Sequence, residues 1–203
     1  MPEPIPEFAD VKKEGKILML YHISGTHGIK ILKPQESTHG KKYVYAIKNI
    51  VTGLLFGVKK DDFDFIICTD DNGTPEVYEC YPHAFELKYK DQSCSVYQLD
   101  EKGFLEGQTG WDAELVCESL VTVQKETIIP DIYQRLLAEI ETGNLILHKY
   151  SDTMEYKSII SEHIVDRLIR FDLLNRIESD ERFHTYYDNI VKGLKELISG
   201  KYL

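Results

Sequence analysis

Three short segments hold the residues best able to do chemistry. Leu18-Met-Leu-Tyr-His22-Ile-Ser24 reads as a strand that ends in an imidazole and, two positions on, a small hydroxyl. Tyr43-Val-Tyr45-Ala reads as a second strand, and Phe56 follows Tyr45 across a short helix expected over roughly 49–56. Ala113-Glu114-Leu-Val-Cys117 opens a third strand on a carboxylate, with Glu118 further along the same expected strand and on the same face. Taken one at a time these residues have structural readings. They are a hydrogen-bonded histidine at a strand end, tyrosines packed on a sheet, a core phenylalanine, and glutamates facing solvent on an edge strand. Trp111, beside Gly110, reads as an aromatic that anchors a loop or borders a groove. Spacing gives metal chemistry no support. Cys68, Cys80, Cys94 and Cys117 contain no C-x-x-C pair and read as reduced, mostly buried thiols. His22, His27, His39 and His83 follow neither helical nor loop-ligand spacing.

In this order and at these separations the segments resemble the His–Tyr–Glu ADP-ribosyltransferase fold family. That family includes poly(ADP-ribose) polymerase catalytic domains, diphtheria-type toxins and rifamycin ADP-ribosyltransferases. His22-Ile23-Ser24 stands where the family has a strand ending in His-Gly-Ser/Thr. Val44-Tyr45-Ala46, with Phe56 downstream, is similar to its Ile-Tyr-Phe-Ala strand and following aromatic. Ala113-Glu114-Leu-Val-Cys117 is similar to its strand opening Asn-Glu-Tyr-Ile-Val. The likeness spans roughly residues 17–123.

The resemblance implies NAD+ as substrate and names the residues that would handle it. His22 would bind the adenosine ribose hydroxyl, and Ser24 the nicotinamide carboxamide. Tyr45 and Phe56 would sandwich the nicotinamide ring, and Glu114 would bind the adjoining ribose and stabilise its cation. Such a set suits the reaction, because breaking the nicotinamide–ribose bond creates a ribosyl cation-like transition state. The leaving group must be held flat, and negative charge must meet the cation as it develops. Catalysis would thus rest on Glu114, Tyr45 and His22. Two departures stand out. Ile23 replaces the family's glycine and puts a side chain beside the ring site, and Glu118 rivals Glu114 as the carboxylate. Asp112 is an outside candidate, since the rifamycin-modifying branch uses an aspartate. The implied activity is NAD-dependent ADP-ribosyl transfer with release of nicotinamide, to an unidentified acceptor that is a protein in preference to a nucleic acid. The alternative is a non-catalytic relative of the fold, acting as a protein-interaction or NAD-binding module. An RNA 2′-phosphotransferase, which shares the fold, and the Arg–Ser–Glu transferase branch both want arginines, and residues 1–129 contain none.

The elements that must position these residues change character near residue 130. Before it, segments rich in β-branched and aromatic residues are separated by Asp71-Asn-Gly73, Tyr81-Pro82, Glu101-Lys-Gly103 and Gly107-Gln-Thr-Gly110. Strands are expected at 17–21, 43–47, 63–68, 76–80, 85–89, 95–99 and 114–123; the one over Phe85–Tyr89 rests on alternation of apolar and polar residues. After Pro130 the apolar period is that of a helix, with Gly143 as a stop. Asp152-x-x-Glu155 resembles a capping box for a long segment to about Ile177. An apolar stripe runs from Phe183 to Ile198 and ends at Gly200; it reads as core or helix interface, or as a face for a partner or a second copy of the chain. The expected fold class is α+β: ADP-ribosyltransferase-like split antiparallel sheets with a cleft, followed by a C-terminal helical domain. Its parts are a flexible N-terminal segment over 1–15, a β-rich domain over 16–129 and a helical domain over 130–203. A net charge of −10 argues against broad capture of nucleic acid or an anionic membrane. The absence of a long apolar run or signal-like N-terminus leads to an expected cytoplasmic location.

Overall fold

The computed structural model describes residues 19–36, 41–61, 63–170 and 172–198. The expected flexible segment over 1–15, His39 and the stop at Gly200 lie outside them. In chain order the elements are β1 (Met19–Ser24), β2 (Ile31–Leu32), β3 (Gln35–Glu36), β4 (Lys42–Ile47), α1 (Ile50–Leu54), β5 (Phe65–Thr69), β6 (Pro75–Glu79), α2 (Ala84–Tyr89), β7 (Cys94–Asp100) and β8 (Leu105–Glu106). They continue as β9 (Glu114–Cys117), β10 (Val121–Thr122), β11 (Lys125–Ile129), α3 (Ile132–Glu141), β12 (Ile146–His148), α4 (Met154–Arg170), α5 (Arg176–Ser179), α6 (Glu181–Tyr186) and α7 (Asp188–Ile198). The fold is mixed α+β, with largely antiparallel sheets. None of the described helices is long and apolar enough to cross a membrane.

Two compact units divide the chain, and the division does not follow the change of composition at residue 130. Residues 1–59 and 89–144 form one; residues 60–88 and 145–203 form the other. The reason is strand pairing. β12 lies parallel to β6, with Ile146 opposite Glu76 and His148 opposite Tyr78, so the β5–β6 hairpin groups with the chain that follows residue 144.

In the first unit a seven-stranded antiparallel sheet runs β11-β7-β1-β4-β9-β8, with β3 also on β4; β2 and β10 make a separate pair. The three strands that carry the candidate motifs, β1, β4 and β9, are therefore neighbours. One face of this sheet is a buried core of Leu20, Val44, Ala46, Tyr97, Leu99, Leu115 and Cys117, closed by Leu32 and Val121. The other face takes α1. Asn49 caps that helix, its side-chain oxygen accepting from the N–H groups of Val51 at 2.9 Å and Thr52 at 3.1 Å. α1 lies so close to the sheet that a Cβ on Gly53 would stand 2.4 Å from Ile23 Cδ1 and 2.9 Å from Ile47 Cγ2. Glycine is what allows this approach. α3 starts at Asp131, which accepts from the Gln134 N–H, and ends at Gly143 in the left-handed region, as its sequence predicts.

The second unit packs α4 to α7 with β5 and β6 around Phe63, Ile66, Cys80, Ile160, Ile164, Leu168, Phe183, Tyr187 and Val191. The stripe from Phe183 to Leu194 is core, but its helix breaks. Tyr187 leaves helical geometry between α6 and α7, and its hydroxyl donates to the Cys80 carbonyl. The long segment expected to reach about Ile177 stops at Arg170, and its cap is not Asp152. Thr153 Oγ1 accepts from the Tyr156 N–H, while Asp152 pairs with Lys157. The expected strand over Phe85–Tyr89 is the helix α2. Phe85 and Tyr89 are buried at one helical turn's spacing, whereas Leu87, which alternation would place beside them, is 67% exposed.

Candidate functional site

Side-chain direction on the sheet follows from register. Tyr45 lies opposite Val116 and Ile47 opposite Glu114, and residues directly paired share a face. Tyr45 and Glu114 are thus diagonal neighbours on the face that carries α1. Tyr21, opposite Ile47, and Ile23, two residues on, point the same way. Phe56 follows α1 through a turn in which its N–H bonds to the Gly53 carbonyl at 2.9 Å. Its ring, 41% exposed, lies 5.4 Å from that of Trp111. The Trp111 carbonyl in turn accepts the Glu114 N–H at 3.1 Å, tying the aromatic pair to the start of β9. The structure therefore sets Tyr45 and Glu114 on one sheet face and ties the Phe56–Trp111 pair to the start of β9, while the ring of Tyr45 stands 5.9 Å from that of Tyr43.

His22 and Ser24 belong to the other face. They pair with Tyr97 and Ser95, and the His22 and Tyr97 ring centroids are 6.2 Å apart. His22 still meets Tyr45, through the backbone. β1 is in register with β7 at six positions but with β4 only at Tyr21 and Ile47. Just past that pair the His22 Nδ1 stands 2.9 Å from the Tyr45 carbonyl oxygen. A carbonyl can only accept, so Nδ1 carries the hydrogen and Nε2 presents a lone pair. Burial lowers the His22 pKa and the Tyr45 carbonyl offsets part of that fall, which favours the neutral ring. The Ser24 Oγ accepts from the Thr26 N–H at 3.1 Å and shapes the turn that leaves β1.

The competing carboxylates are set apart by local geometry. Glu114 is half-buried at the first position of β9; Glu118 lies beyond the end of that strand and is exposed. Glu118 lines a groove of about 710 Å³ bordered also by Asp100, Lys102, Leu105 and Leu120. Asp112 is exposed in the turn before β9.

A second polar cluster, absent from the sequence reading, holds the loop after Ser24. Glu126 on β11 accepts from the Gly28 N–H and the Ser95 hydroxyl, both at 2.7 Å. Its Oε1 also lies 3.1 Å from the Tyr97 hydroxyl, and these bonds, the Gly28 N–H foremost, lower its pKa. Since Ser95 gives its only proton to Glu126, His27 Nδ1, 2.7 Å away, donates to the Ser95 oxygen. Ser95 is fully buried and so unsuited to be a nucleophile. Nothing local in the sequence signals this cluster; it is assembled by β7–β11 pairing.

The cysteines are thiols, with Cys80, Cys94 and Cys117 buried and Cys68 half-buried. Burial pushes Cys80 and Cys94 up to about 12, which makes them poor nucleophiles. Among the described residues no group of three or more His, Cys, Asp or Glu side chains could hold a metal ion. No family model, curated protein or solved structure matches the chain.

Proposed function

We propose that the face carrying Tyr45, Phe56 and Glu114 is a site for the ADP-ribosyl dinucleotide NAD+, and that the protein transfers ADP-ribose from it to an acceptor with release of nicotinamide. The observation that carries this reading is the shared sheet face of Tyr45 and the half-buried Glu114, with the Phe56–Trp111 pair tied to the start of the same strand and a neutral histidine on the Tyr45 carbonyl. Tyr45 and Phe56 offer ring faces for a flat leaving group. Glu114 supplies a negative charge on the face of Tyr45, suited to a ribosyl cation. His22, on the other face, enters through the hydrogen bond that holds the Tyr45 carbonyl. Ser24 enters this proposal in a reduced role, through the turn it shapes. The finer fold reading, antiparallel strands parted by a cleft, belongs to the same proposal and is supported by the short pairing of β1 with β4.

One observation favours a second reading, a non-catalytic module that binds NAD+ or a partner protein. Ile23 packs against α1 on the same face as Tyr45 and Glu114. Ligand-dependent melting, joined to nicotinamide release, separates the readings. NAD+ at millimolar concentration should raise the melting temperature by linkage, RT ln(1 + [L]/Kd). Phe56→Ala, weaker for NAD+ by about tenfold, should shrink the rise, and so should His22→Ala. A rise without nicotinamide release in the presence of candidate protein acceptors selects the module; no rise at all refutes both NAD+ readings.

A further inference from the structure

The polar cluster that holds the loop after Ser24 ends in a second serine. His27 Nδ1 donates to the Ser95 oxygen, so in the neutral ring Nε2 carries the lone pair. The Ser93 Oγ stands 3.3 Å from that nitrogen, and its hydroxyl is the group that donates there. The result is one directed chain, Ser93 to His27 to Ser95 to Glu126, closed by a 2.7 Å bond from the Ser95 hydroxyl to the carboxylate. Backbone contacts hold its parts in place. On either side of His27, the Thr26 carbonyl accepts from the Tyr97 hydroxyl and the Gly28 N–H donates to Glu126, both at 2.7 Å. The Gln92 carbonyl, just before Ser93, accepts from the Ile132 N–H at 3.0 Å. Ser93 is half-buried and His27 exposed, so a ligand can reach the two groups at the head of the chain. Ile128, opposite Ser95 on β11 and 56% exposed, sets one apolar side chain on the same face.

We propose that Ser93 is a catalytic nucleophile and His27 its general base, in a site that hydrolyses carboxylic esters with a short apolar acyl group. A serine hydroxyl is a weak nucleophile until a positioned base takes its proton, and that base must itself be oriented by a third group. His27 meets the first need, and Ser95 with Glu126 meets the second. As the ring gains a proton, its Nδ1–H donates to a hydroxyl whose own hydrogen is bound to a carboxylate. In the first step the Ser93 Oγ bonds to the acyl carbon while its proton passes to Nε2; the ester C–O bond breaks and the leaving alkoxide takes that proton. Water then attacks the acyl–Ser93 ester and gives a proton to Nε2. The acyl–Oγ bond breaks, the carboxylic acid leaves, and Ser93 takes the proton back. Ser95 and Glu126 are positioning residues, and Ile128 is the surface for the acyl group. Tyr45 and Glu114 lie on the opposite sheet face, so this site stands or falls independently of the proposed NAD+ site.

Two probes of the full chain, p-nitrophenyl acetate and diisopropyl fluorophosphate, test the proposal. Wild type should release p-nitrophenol in a burst as Ser93 is acetylated. With the fluorophosphate it should gain a single diisopropylphosphoryl group on Ser93, located by peptide mass, as fluoride leaves. Ser93→Ala should lose both reactions, and Ser93→Cys should still be acetylated. His27→Gln should slow both by about 10²–10⁴-fold, the range for a positioned base. Glu126→Gln keeps acceptors for the same bonds without the charge; it should lower acetylation at saturating ester about tenfold and leave KM unchanged. A purely structural Glu126 would instead lower the melting temperature without that split. Ser93→Ala removes one half-buried hydroxyl and keeps the answer readable if His27→Gln fails to fold. No adduct on wild type, an adduct that persists in Ser93→Ala, or labelling of folded His27→Gln at the wild-type rate overturns the proposal. Acetylation of Glu126→Gln at the wild-type rate overturns the part given to the carboxylate.

Discussion

The proposed site of the first unit and the ion-pair network of the second place polar groups in opposite ways. In the second, charges are gathered and answered. Asp64 is fully buried, yet it receives Lys88 at 3.1 Å, Arg182 at 3.2 Å and the Tyr81 hydroxyl at 2.7 Å. Asp61 pairs with Arg176 and Arg182, and Asp180 pairs with the same two arginines. In the first unit the polar groups of the proposed site are spaced along strands and include a neutral imidazole with one ring nitrogen engaged and aromatic rings that reach solvent. A buried charge persists only when paired, so a closed network of three carboxylates and three cations points to structure. Aromatic rings that reach solvent are what a ligand can use. Charge density is the more conspicuous feature, but the sparser face is the better candidate for chemistry.

Breaking the closed network should give the largest effect on stability. Asp64→Asn leaves Lys88 and Arg182 facing a neutral amide in a buried setting and should cost about 3–5 kcal/mol in urea unfolding. The affinity of the surviving folded protein for NAD+ should not change. A loss below about 1 kcal/mol would mean that the network is solvated and contributes like a surface ion pair.

Breaking the open face should do the reverse. Phe56→Ala removes a half-exposed ring and its contact with Trp111, at a stability cost of about 1 kcal/mol. NAD+ affinity should fall about tenfold, equal to about 1.4 kcal/mol. Equal losses of stability and affinity with Trp111→Ala and with Phe56→Ala would instead make the pair a loop anchor.

Acid should separate the regions by pH window, with smaller effects. The folded His22 value lies below the usual 6.5, so the unfolded chain takes up that proton first. Stability from this group is complete above 6.5 and declines as pH falls from there toward the folded value. His22→Gln, which cannot titrate, should flatten that part of the melting-temperature profile. Asp180, held low mainly by its hydrogen bond from Arg182, acts lower down. Asp61 does too: burial works to raise it, but Arg176, the Phe63 N–H and Arg182 hold it below the usual 3.8. Their contribution is present above 3.8 and lost as pH drops through the folded values. An Asp61→Asn protein should therefore differ in profile from wild type only in the acid range.

What the sequence made legible was local. β4, β7, α1 and α3 have periods, caps and flanking turns within a few residues of themselves, and they stand near where those signals put them. The segment of α2 reads as a strand because five residues, Phe85 to Tyr89, are too few to separate a period of 2 from one of 3.6. Burial of Phe85 and Tyr89 with Leu87 outside settles it. β12 is three residues long and gains its identity only from β6, some seventy positions earlier. That pairing also explains why composition placed a boundary at 130 while packing groups 60–88 with 145–203. At the site, the three motif strands are legible, and they stand side by side in one sheet. The faces were not. Parity along a strand cannot tell which side His22 takes relative to Tyr45 until the β1–β4 register is fixed. The close packing of Ile23 against Gly53 and Gly57 likewise depends on how α1 crosses the sheet.

The central claim is that Glu114 faces a ribosyl cation, and single-turnover nicotinamide release from NAD+ tests it most directly, with wild type and Glu114→Gln compared at saturating ligand. Glutamine keeps the size and much of the hydrogen bonding and removes the charge. The account predicts that release slows by about 10²–10³-fold, a loss of about 3–4 kcal/mol of transition-state stabilisation, while the Kd for NAD+ changes less than about threefold. Release from Glu114→Gln at the wild-type rate, with NAD+ still bound, would contradict it and leave a dinucleotide-binding face that performs no transfer.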